Sequence, residues 1–110
     1  MSRMIHTFGR LSAALLLTAA GASPAWAAFP DHPVKLVVPY TPGGSADQLA
    51  RVLAERLSQE LAQPVVVENK PGANTMIAAT QVARAQPDGY TVFLASNASM
   101  VLNPMLYQKI

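Results

Sequence analysis

The chain has 110 residues, enough for one domain, and no cysteine, which excludes disulfides, thiolate nucleophiles and zinc–thiolate sites. Its formal charge is +2, from eight Lys and Arg against six Asp and Glu. Two of the basic residues, Arg3 and Arg10, fall in the first ten positions, and the remainder is formally neutral. Neither that balance nor any run of like charge points to nucleic acid.

Residues 1–27 read as a secretory signal peptide. Arg3 and Arg10 form the basic region, Leu11 to Ala20 the apolar stretch, and Ala25-Trp26-Ala27 the small-x-small cleavage pattern. The apolar run is too short to span a bilayer and no charged stop-transfer flank follows it. Cleavage would leave 83 of the 110 residues, which can bury a modest core. The lead-in Phe29-Pro30-Asp31-His32-Pro33 is extended and non-helical, with His32 read as an exposed loop histidine.

The run 34–40 (VKLVVPY) predicts a strand covered on both faces, with regular pairing ending near Pro39. Pro42-Gly43-Gly44-Ser45-Ala46-Asp47 then forms a glycine turn into a helix. Ser45 is a candidate N-cap, and Gln48 completes a capping box with it. The helix spans 46–62. Its apolar stripe is Ala46, Leu49, Ala50, Leu53, Leu57 and Leu61, and Pro64 ends it. Asp47 and Arg51 form an i,i+4 pair, and Asp47 also complements the helix dipole. The same carboxylate could stand at the mouth of a site and accept hydrogen bonds from a ligand or bound water.

A second short strand covers 64–68, followed by the turn-rich Asn69-Lys70-Pro71-Gly72-Ala73-Asn74. Lys70 is read as a solvated loop lysine that could attract an anion. A second helix covers 75–86 and ends at Pro87-Asp88-Gly89. The third strand is 90–95. Ser96-Asn97-Ala98-Ser99 follows at its carboxyl end, before a short helix over 100–106. Residues 103–110 are mixed apolar without a polar tail, as in a piece of a longer chain or a frayed terminal helix.

The order is βαβαβ, an α/β arrangement with crossovers long enough for parallel strands. Right-handed crossovers put the loops at 41–47, 69–74 and 96–99 on one sheet edge. Ligands of open α/β sheets bind at that edge, and the N–H groups of a helix start suit an anion. A plain strand-to-helix connection accounts for the same glycines and serine. No dinucleotide or P-loop glycine pattern occurs, no G-x-S-x-G elbow surrounds Ser45, and the six acidic residues are too scattered to suggest a metal or acid/base pair. No cofactor and no catalytic residue is expected.

Phe29-Pro30-Asp31-His32-Pro33-Val34-Lys35-Leu36-Val37-Val38-Pro39-Tyr40, then Pro42-Gly43-Gly44-Ser45-Ala46-Asp47, resembles the Bug-type receptors of tripartite tricarboxylate transporters. Val65-Val66-Val67-Glu68-Asn69-Lys70-Pro71-Gly72-Ala73, Pro87-Asp88-Gly89-Tyr90-Thr91, Asn103-Pro104 and Leu106-Tyr107 match further family blocks in the same order. The family often carries a glycine-rich run after its Pro-Gly-Ala, where this chain has Asn74-Thr75-Met76.

The resemblance implies a type II periplasmic binding protein fold, with residues 28–110 as the N-terminal part of the first of two α/β domains. It also implies a monomeric receptor in the periplasm. Such a receptor captures a small organic carboxylate for an inner-membrane permease and is not an enzyme. Carried over residue by residue, the ligand-binding positions are Tyr40, Thr41, Gly43, Gly44, Asp47, Ser96 and Asn97, partly through ordered water. Two alternatives stand beside this reading. One is a truncated, non-functional fragment of such a receptor. The other is an exported α/β hydrolase with its catalytic residues elsewhere.

Overall fold

The computed structural model describes residues 28–107, so the expected signal peptide at 1–27 lies outside the described residues. Three parallel strands form one sheet in the order β2-β1-β3, with β1 at Val34–Val38, β2 at Val65–Asn69 and β3 at Thr91–Phe93. Pairing in β1 stops before Pro39, which has no N–H to donate.

The central strand explains the continuous apolar run. Val34, Leu36, Val37 and Val38 are all under 5% exposed. Side chains alternate along a strand, so burial of both parities means both faces are covered. Burying each of these contributes about 1.5–3 kcal/mol.

Helix α1 (Ser45–Leu61) covers the face of Leu36 and Val38 through Ala50 and Ala54. Helix α2 (Met76–Ala83) lies on the opposite face, where Gln81 donates to Glu68, the register partner of Val37. The chain thus steps from β1 outward to β2, then back across β1 to β3, with one helix on each face. This is the doubly wound α/β fold, and the order reverses at β1.

The inward stripe of α1 differs from the sequence expectation. Leu49 and Leu53 are 61% and 39% exposed, whereas Asp47, Ala50 and Ala54 are buried. Hydrogen bonds of Asp47 toward β2 fix the rotation of the helix, and small alanines let it approach the sheet closely. At the other end of α1, Ser58 accepts from the Val65 N–H at 2.8 Å and donates to Ala54 O at 2.7 Å, tying the helix to β2.

The Ser45 capping box does not form. Gly44 is the N-cap and Ser45 the first helical residue. Asp47, the third helical residue, reaches back to the Gly43 N–H instead, a variant of the acidic half of a capping box. The second helix is shorter than expected and is preceded by a single 3₁₀ turn, Ala73–Thr75. The expected third helix is a π-helical turn, Ala98–Leu102, running into the one-turn helix α3, Asn103–Leu106. No helix among the described residues is long and apolar enough to cross a membrane.

Candidate functional site

Because the sheet order reverses at β1, the crevice of this fold lies beyond the carboxyl ends of β1 and β3. Residues 40–44, after β1, flank it on one side, and residues 96–99, after β3, on the other.

The first loop is held by Asp47. This residue is 3% exposed. Its Oδ2 accepts from the Gly43 N–H and from Arg51 Nε, each at 2.9 Å, and its Oδ1 accepts from Asn69 Nδ2 at 2.9 Å. Asn69 Nδ2 also donates to Tyr40 O at 3.0 Å. One carboxylate and one carboxamide therefore tie the loop to the end of β2. The Arg51 guanidinium, the Gly43 N–H and the Asn69 amide hold the Asp47 carboxyl well below the usual range, at about 2.

Those bonds turn the Asp47 carboxylate into the protein. Thr41, Gly43 and Gly44 are all exposed, the two glycines with no side chain over their backbone, and Tyr40 is 38% exposed. Gly43 has φ +92°, a conformation that strains any residue with a Cβ. Gly44 is extended, and a Cβ there would meet only Thr41 O at 3.9 Å. The N–H groups of Ser45, Ala46 and Asp47 open a 17-residue helix and have no partner one turn back.

The second loop is held by its own serines. The Ser96 N–H donates to Ser99 Oγ at 2.9 Å, and Ser99 Oγ–H donates to Ser96 O at 2.9 Å. Ser99 is buried and Ser96 half-buried, while Asn97 is exposed. No hydrogen bond among the described residues joins 40–44 to 96–99 directly. The structure thus brings Tyr40, Gly43 and Asp47 into one bonded group and sets Ser96 and Asn97 on the facing loop.

The sequence places Asn69 and Asn74 on this edge without a role in the site for either side chain, and it leaves Asn103 out altogether. Their one signal was asparagine in turn-rich stretches, which says nothing of partners tens of residues away. Ala73, Asn74 and Thr75 all have positive φ. A glycine run adopts such conformations without steric cost. Lys70 faces away from a free-anion role, since its Nζ pairs with Glu68 at 3.1 Å. His32 lies beside the start of β1, at the opposite sheet edge. It is exposed but engaged, stacked on Tyr90 with ring centroids 3.6 Å apart and paired with Asp31. It is the one histidine among the described residues, and its partners there are Asp31 and Tyr90, with no serine among them. No group of three potential metal ligands occurs among them either.

The model of the tripartite tricarboxylate transporter family receptor matches residues 49–110, more than half of the chain. A UPF0065 protein of Bordetella pertussis is 42% identical over 101 residues, covering 92% of this chain and 31% of that protein. A solved structure described as a periplasmic transporter superposes with a TM-score of 0.71 at 48% identity, over 76% of this chain and 28% of its own. A protein of R. palustris solved with adipate superposes with a TM-score of 0.61 at 43% identity, over 63% of this chain and 23% of its own. The chain thus spans about a fifth to a third of the length of the curated relatives it matches.

Proposed function

The chain belongs to the tripartite tricarboxylate transporter receptor family, and from that premise we propose that it forms the N-terminal part of the first α/β domain of a periplasmic solute receptor. The receptor acts as a monomer. It binds a small organic carboxylate at residues 40–44 and 96–97 and passes it, chemically unaltered, to an inner-membrane permease.

One observation carries this reading. The Asp47 carboxylate is spent on holding its own loop, so the donors left without a partner among the described residues at the switch point are the N–H groups of a helix start, beside two glycines that carry no side chain to cover them. Neutral donors at the positive end of a helix favour an anion and supply no nucleophile or base. Asp47 contributes by positioning Gly43, and Tyr40, Thr41, Ser96 and Asn97 contribute the polar and aromatic rim. The adipate carried by the similar R. palustris protein supports the ligand class.

Thermal unfolding of the full-length receptor with adipate and shorter dicarboxylates tests this. Saturation a hundredfold above Kd stabilises the folded state by about 2.7 kcal/mol, so Tm rises with ligand concentration. No shift with any dicarboxylate, or consumption of the ligand, overturns the reading.

A further inference from the structure

The two loops that flank the crevice share no hydrogen bond, and the segment 69–75 lies between their supports. Its first residue, Asn69, holds Tyr40 O and the Asp47 carboxylate. Its last three, Ala73, Asn74 and Thr75, have φ of 47°, 51° and 71°. Three consecutive left-handed residues that are not glycine are unfavourable, most of all for β-branched Thr75. They persist only where the surroundings fix them.

One side chain is placed to do so. Asn103 is 1% exposed. Its Nδ2 donates to Asn74 O at 2.7 Å and reaches Thr75 Oγ1 at 3.4 Å, while its Oδ1 accepts from Asn74 Nδ2 at 2.8 Å. A backbone carbonyl oxygen can accept but not donate, so the carboxamide atom facing Asn74 O is the donating Nδ2, which fixes which way the carboxamide faces. Asn103 opens α3 and continues directly from the π-helical turn. Four residues before it stands Ser99, also buried, which holds the backbone of Ser96. Asn103 thus bonds the left-handed segment through its side chain and Ala98 O through its backbone N–H, in the same π-helical turn whose Ser99 holds Ser96.

We propose that Asn103 is a positioning residue for carboxylate binding. Through residues 73–75 it sets where residues 96–97 stand relative to 40–44. The inference rests on the reading that these two loops hold the carboxylate.

The test compares full-length wild type, Asn103→Ala, and Asn103→Ala combined with Thr75→Gly, using adipate binding, Tm and amide exchange without ligand. Asn103→Ala is expected to lower Tm, weaken adipate binding on the order of tenfold, and speed exchange at both 73–75 and 96–99. Thr75→Gly relieves the backbone strain. The double variant should therefore regain Tm while its affinity stays low, because nothing then fixes the spacing of the loops. Should Asn103→Ala fail to fold, Asn103→Asp keeps the shape and the acceptor but loses the donor to Asn74 O, and the same split is expected. Affinity that returns together with Tm, or wild-type exchange at 96–99 in the variant, overturns the proposal. A wild type that binds no dicarboxylate overturns the receptor reading alone, since the exchange comparison still decides whether Asn103 controls 96–99.

Discussion

The amino and carboxyl edges of the sheet both gather polar and aromatic residues, but they use them in opposite ways. At the amino edge the groups satisfy one another in the open. Tyr90 Oη–H donates to Asp31 Oδ1 at 2.7 Å, accepts from the Asp31 N–H at 2.9 Å, and its ring carries His32 on one side and Phe29 edge-on. The Tyr90 hydroxyl, with His32 beside it, lowers the Asp31 carboxyl, and burial together with the Asp31 charge raises the Tyr90 phenol. That cluster locks the lead-in segment onto β3. At the carboxyl edge Asp47, Ser99 and Asn103 are buried, while Gly43 and Gly44 leave backbone uncovered. The accessible histidine and aspartate look more like a functional site, yet buried Asp47 and Asn103 and half-buried Asn69 shape the surface proposed for the ligand.

Asp47→Ala breaks this contrast most severely. It strips the acceptor from Gly43, Arg51 and Asn69 together, so adipate affinity of the full-length receptor is expected to fall on the order of a hundredfold. Titration calorimetry reads this, with far-ultraviolet dichroism reporting the fold. The two glycines sharpen it. Gly43→Ala forces a Cβ onto φ +92° and costs about 1–2 kcal/mol of stability by denaturant titration. Gly44→Ala meets only an ordinary contact, so stability stays within about 0.5 kcal/mol while affinity drops.

Acid acts on the same edge. The Asp47 carboxyl lies at about 2 in the folded chain against a reference of 3.8, and Glu68, held by Lys35, Gln81 and Lys70, at about 2 against 4.5. Both folded values are lowered, so the unfolded chain takes up protons first. Their stabilisation is complete above the unfolded values and is lost as pH falls from about 4.5 toward 2. Thermal melts across that window should show Tm falling, with a smaller fall in Asp47→Asn. The smallest effect on binding belongs to the other edge. Tyr90→Phe removes both hydroxyl bonds to Asp31 and should lower Tm slightly while leaving adipate affinity unchanged.

The element order and the parallel crossovers were legible in the sequence because β1 is apolar at both parities and proline or glycine follows β1, α1, β2 and α2, whereas the sheet order β2-β1-β3 was not. The loop after β1 stood out as a candidate site because its glycines follow a buried strand. Three other features were not legible. The rotation of α1 depends on a bond from Asp47 to Asn69, 22 residues away, which helical periodicity cannot register, so Leu49 and Leu53 were assigned inward. The left-handed run at Ala73, Asn74 and Thr75 left no glycine to announce it. The buried role of Asn103 needs a partner 29 residues distant.

Amide exchange on the full-length receptor, with and without saturating adipate, tests most directly that the carboxyl edge binds and the amino edge only holds the fold. Slowed exchange confined within these two regions to Gly43–Asp47 and Ser96–Ser99, with Phe29–His32 and Tyr90 unchanged, is the expected result. Adipate binding with protection at the amino edge, or with none at residues 43–47, would contradict it.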